Sequence, residues 1–217
     1  IHFDPGSRFA YSGEGLTLLQ FMIDRGPGPD LGDWTRDRTF APLGMTRTSL
    51  IWRPDFAANM ADGWKIDGST EPHDERSKVR AAGSMDTTIT DMSRFAAALI
   101  RGDGLSRASR AELVRPQLPI TTASQFPTLQ DELPPAQRSP DLQSGLGVVT
   151  FTGPQGPGFF KGGHNDTTGN TMVCIERGQR CVVILSNDVR SEPGFADLVR
   201  FILGDTGVPY DWEYGAD

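Results

Sequence analysis

The chain has 217 residues, 37% of them hydrophobic and 23% charged, with a net charge of −7 at pH 7. That length suffices for one sizeable core or a main domain with a subdomain, and the acidic balance argues against nucleic acid or an anionic membrane as a partner. The longest apolar runs, such as Phe95–Ile100 and Cys181–Leu185, are far too short to span a bilayer.

In chain order, Pro5-Gly6 marks a turn, and Ser12 caps a predicted helix over Gly13–Asp24. Leu16, Leu19 and Ile23 share one face of it, and Arg25-Gly26-Pro27 ends it. Tyr11 therefore sits at the mouth of a helix. A second helix is expected over Leu31–Phe40, stopping before Pro42. Thr48–Trp52 is strand-like, Asn59–Lys65 with Ile66-Asp67-Gly68 suggests a short wet hairpin, and Thr70–Lys78 is charged enough for an exposed loop. Ala81-Ala82-Gly83-Ser84-Met85 leads into a helix capped by Thr90, with Met92, Phe95, Ala96, Leu99 and Ile100 as its apolar face and Gly102 as its stop. Ser106 caps a further helix to about Val114, and the proline-rich Gln117–Leu142 reads as a long surface loop.

Strands begin at Gly145–Thr152. Thr171–Ile175 and Cys181–Leu185 form a hairpin about Arg177-Gly178, and both runs are so apolar that both faces are expected to be covered. That register sets Cys174 opposite Cys181. Two free buried cysteines are the expectation, with a disulfide as the open alternative. Pro193 opens a last helix with Phe195, Leu198, Val199 and Ile202 on one face and Gly204 as its stop, and the acidic tail Asp205–Asp217 is expected to be loose. Helices first, then antiparallel strands, then a closing helix give an α/β (α+β) arrangement with a helical insertion. The boundaries expected within 1–217 are helices and loops to 144, strands and closing helix over 145–204, and the tail beyond.

The chemistry concentrates before the hairpin. Gly162-Gly163-His164-Asn165-Asp166-Thr167-Thr168-Gly169 sets a histidine and short polar side chains among glycines that permit close backbone approach. That suits an active-site wall, and it also suits a glycine-rich turn with a surface histidine. His2 and His73 lie in polar surroundings and read as surface residues. Neither spacing nor setting suggests a metal site, and no cofactor is implied.

Taken together, Phe9-Ala10-Tyr11-Ser12-Gly13-Glu14-Gly15, Ala41-Pro42-Leu43-Gly44-Met45, Ala81-Ala82-Gly83-Ser84-Met85-Asp86-Thr87-Thr88 and Gly163-His164-Asn165-Asp166 resemble serine hydrolases of the class C β-lactamase type. That group includes family VIII esterases, D-aminopeptidases and D-Ala-D-Ala carboxypeptidases, and the resemblance runs from about Pro5 to Leu203. It implies an antiparallel sheet flanked by helices, an inserted helical domain, and a cleft between them. It also implies an acyl-enzyme reaction on a small ester, amide or lactam.

Within the resemblance, Tyr11 matches the tyrosine of Y-x-N, and His164 matches the lysine or histidine of K-T-G or H-x-G, as in the esterase and D-aminopeptidase branches. The Thr167 N–H would serve the oxyanion, and Gly163, Asn165 and Asp166 would line the substrate. Two departures stand out. Gly13 replaces the asparagine of Y-x-N, and no S-x-x-K exists, because Asp62, Glu75 and Gly158 stand three residues before Lys65, Lys78 and Lys161. Ser12 and Ser84 have no lysine at motif spacing. The nucleophile is thus expected from a segment preceding Ile1, and such a segment, or a homo-oligomer, is expected to cover the sheet. A non-catalytic binding module of the same fold is the rival reading.

Overall fold

A computed structural model describes residues 2–215 of the chain. Its first helix, α1, spans Gly13–Asp24, and the Ser12 hydroxyl accepts from the Gly15 N–H at its start, as its sequence predicts. Helix α2, Leu31–Thr35, continues as a π-helical turn over Arg36–Phe40. A small hairpin pairs β1, Gly63–Trp64, with β2, Thr70–Glu71, around Gly68 at φ 84°. Thr48–Trp52 forms no strand and contributes only a bridge between Ser49 and Asp86. His73, expected at the surface, instead sets Nε2 3.2 Å from Asp86 and packs against Trp52.

Helix α3, Ile89–Arg101, is capped by Thr88, two residues before the expected Thr90. The shift follows from Asp91. That carboxylate is buried and accepts from the Arg47 N–H and the Thr48 hydroxyl, while its own N–H donates to Thr88 Oγ1. Gly102 ends α3 in the left-handed region. Helix α4, Arg107–Leu113, follows its Ser106 cap.

The main sheet has six strands, all antiparallel and in chain order: β3 (Leu118–Pro119), β4 (Gln143–Ser144), β5 (Val149–Gly153), β6 (Gly156–His164), β7 (Gly169–Ile175) and β8 (Arg180–Ser186). The expected surface loop thus supplies an edge strand, β3. Strand β6 escapes a sequence pattern because Gly156, Pro157, Gly158, Gly162 and Gly163 interrupt its apolar alternation. The β7–β8 register pairs Cys174 with Cys181, as predicted, and the turn places Gly178 and Gln179 at positive φ. The two cysteines are joined in a disulfide, not free: direct opposition brings their Cα atoms to 4.1 Å.

Both sheet faces are covered. Phe160, Val173, Ile175 and Val182 pack with Phe195, Val199 and Leu203 of α5, Phe195–Leu203. Phe159, Met172 and Cys174 pack with Ala96 and Ile100 of α3. The buried stripe of α5 is Phe195-Val199-Leu203, so Leu198 and Ile202, expected on it, lie exposed beside Phe201, which is 88% exposed. Leu18, Phe21 and Met22 of α1 are exposed as well, and among the described residues β8 pairs only with β7. The acidic tail corrects the other expectation of looseness. Its helix α6, Tyr210–Tyr214, buries Tyr210 and Trp212 in the core, because large aromatic rings outweigh the local acidic composition.

Candidate active site

Strand β5 pairs with β6 only between Gly156 and Phe160, whereas β7 accompanies β6 through His164. Lys161–His164 therefore keeps one edge free of a β5 partner. The Ser12 cap places Tyr11 at this edge, and the Lys161 ammonium lies 5.8 Å from the centroid of the Tyr11 ring. Phe126 packs edge-on against Tyr11 at 5.4 Å between centroids and lies 6.0 Å from the His164 ring.

Alternation along a strand sends Lys161 and His164 to opposite faces. The long Lys161 stem wraps the open edge, donates to the Gly162 carbonyl and brings Nζ 3.9 Å from Glu213 Oε1. His164 turns the other way, against Tyr214, with Nδ1 3.2 Å from Glu192 Oε1. Lys161 is thus a cation beside the Tyr11 ring, and His164 reaches the same edge through Phe126. The sequence signal was present: Lys161-Gly162-Gly163 is itself a K-x-G run.

The turn after β6 is held by Asn165. Its Oδ1 accepts from the Thr167 and Thr168 N–H groups at 2.8 Å each, and from both hydroxyls. The Thr167 N–H is therefore engaged within the turn, and its buried side chain fills the space over Gly63. Gly163 is open on its Cβ side, and Asp166 is exposed. Ser84 is buried, accepting from the Arg80 N–H and donating to the Leu50 carbonyl.

Burial dominates the electrostatics beneath the edge. It raises the Glu213 carboxyl above the ordinary carboxylate value, against the opposing charges of Lys161 and His164. Glu192 is raised for the same reason, with His164 opposing. Burial also raises the Tyr214 phenol, and it pushes Tyr210 up to about 12. Among the described residues, no group of three or more His, Cys, Asp or Glu side chains is placed to hold a metal ion.

An antiparallel sheet covered by helices on both faces is the fold of the penicillin-binding proteins and class C β-lactamases that superpose on it. The family described as Beta-lactamase matches residues 1–204, and the chain belongs to it. It is 40% identical over 50 residues to the D-aminopeptidase of Brucella anthropi, which is 23% of this chain and 10% of that protein. The octameric penicillin-binding protein homologue from Pyrococcus abyssi superposes with a TM-score of 0.72 at 16% identity, over 95% of this chain and 45% of that one. The D-amino acid amidase from Ochrobactrum anthropi SV3, complexed with D-phenylalanine, gives 0.67 at 21% identity, over 94% and 63%. The chain thus spans well under the full length of these relatives.

Proposed function

We propose that the chain carries the tyrosine and lysine half of an acyl-enzyme site acting on a small ester, amide or lactam. The observation that supports this is the approach of Lys161 to Tyr11 across the free edge of β6. In this reading a serine hydroxyl from outside these 217 residues attacks the substrate carbonyl, and Tyr11 Oη, as the phenolate, takes its proton and becomes the phenol. Lys161 supplies positive charge where that proton is released. Tyr11 then returns the proton to the leaving alcohol or amine, and water repeats the sequence to free the acid. The free edge of β6 offers backbone groups to an extended acyl chain.

His164, matching the histidine of H-x-G, favours an esterase or D-aminopeptidase over a true β-lactamase, with Lys161 as an additional cation at the edge. The preference for an ester or D-aminoacyl amide rests also on the similarity to D-aminopeptidase and D-amino acid amidase. A non-catalytic module is the second reading, favoured by Gly13 in place of asparagine and by the engaged Thr167 N–H. The test is turnover of D-aminoacyl amides and short-chain esters by the product of the complete reading frame, with Lys161→Met and His164→Ala beside it. Turnover strongly lowered but still measurable in the first variant and largely kept in the second supports the site. Equal losses, or no turnover in the folded parent, count against it.

A further inference from the structure

Helix α6 touches every wall of the candidate site. Trp212 lies 6.0 Å from Phe9, two residues before Tyr11. Its carbonyl accepts from the Gln125 N–H at 2.7 Å, beside Phe126, and its indole donates to Thr122. The Tyr214 hydroxyl donates to the Asn170 carbonyl at 2.9 Å. Between these anchors Glu213 passes beneath β6, its side chain 2% exposed, with Oε1 3.9 Å from Lys161 Nζ.

The seat is close-fitting because residue 162 is glycine. A Cβ there would stand 2.3 Å from Glu213 Oε1 and 2.5 Å from the Tyr214 hydroxyl oxygen, far inside van der Waals contact. The charged or titratable groups facing Glu213 are Lys161 and His164 from β6, Glu192 from the turn before α5, and Tyr210 and Tyr214 of α6 itself. Three of these, the acidic Glu192 and the neutral phenols Tyr210 and Tyr214, do nothing to offset a buried carboxylate. Lys161 is the cation within ion-pair distance, and burying a charge without such a partner is costly.

We infer that Glu213 is a positioning residue for Lys161: α6, wedged beneath Gly162, presents a buried carboxylate that holds the ammonium at the β6 edge beside Tyr11. Its catalytic consequence rests on the hydrolase reading above, but the pairing itself does not. Such a carboxylate acts through Lys161 and touches no substrate.

The test titrates the Glu213 carboxyl by carbon-13 NMR in the 217-residue chain, with Lys161→Met and Gly162→Ala beside it. Removing the Lys161 charge should raise the Glu213 midpoint by about one pH unit or more, and an unchanged midpoint overturns the pairing. Gly162→Ala should unseat α6, return Glu213 towards the ordinary carboxylate range and expose Trp212 to solvent, seen as red-shifted fluorescence. A seated helix in that variant overturns the wedge. Should Gly162→Ala fail to fold, the Lys161→Met comparison decides alone. In an active complete protein, Glu213→Gln should lower kcat/KM about tenfold in the parent and have no further effect in Lys161→Met. Equal effects in both backgrounds overturn action through Lys161, whereas an inactive parent with intact NMR coupling overturns only the hydrolase reading.

Discussion

Lys161 Nζ stands 5.8 Å from the ring centroid of Tyr11, while His164, three residues on, pairs with Glu192 on the other face of the strand. The pleat of β6 sends the two side chains from the strand towards opposite faces. Tyr11→Phe keeps the ring that packs on Phe126 and removes the oxygen that would carry the proton. In the complete hydrolase, kcat should fall on the order of 10²–10⁴-fold, with an unchanged circular dichroism spectrum. An unaltered kcat would return Tyr11 to a packing role.

The 217-residue chain alone should resist serine-directed fluorophosphonate and penicillin probes. Ser12 is committed to its helix cap and Ser84 to Arg80 and Leu50, and no serine precedes a lysine by three residues. Intact-mass spectrometry should show no adduct. A covalent modification mapped to any serine of the chain would defeat this expectation.

Glu213 gives a pH signature with a definite sign. Its folded pKa lies above its ordinary value of 4.5 because burial disfavours the charged form. The folded state thus binds more protons than the unfolded state in that window. Its contribution is most favourable below the unfolded pKa and is lost as pH rises through the folded one. Thermal melts of Glu213→Gln should therefore exceed the parent's Tm at neutral pH, with the gap closing near pH 4. A variant more stable yet slower would mark a residue kept for function at the expense of stability. A Tm difference independent of pH would rule out this titration as its source.

The uncovered apolar surface predicts association. Phe201 and Ile202 of α5, and Leu18, Phe21 and Met22 of α1, are exposed, and β8 ends the sheet with one side unpaired among the described residues. Unpaired edges and exposed apolar side chains of this kind favour pairing with another surface. Analytical ultracentrifugation at micromolar concentration should show oligomers, or anilinonaphthalene dye should bind strongly, and Phe201→Glu should reduce both signals. A dye-silent monomer would show that these residues close their own core.

Local rules carried much of this architecture. The Ser12 cap and the bounds of α1 follow from contacts within four residues, and the hairpin register that opposes Cys174 and Cys181 follows from one turn and an apolar pattern. The motifs around Tyr11 and Gly163 likewise sufficed to indicate the family. What the sequence left open depends on partners far along the chain. Whether two opposed cysteines are bridged is a matter of chemistry that their spacing does not decide. The side of β6 that faces Tyr11 depends on where its pairing with β5 stops, and glycines had hidden that strand. The acidic composition of residues 205–217 points to solvent, yet Tyr210 and Trp212 join the core cluster that holds Ile120, Phe160 and Phe195, and the gain from burying those rings sets Glu213 beneath Gly162.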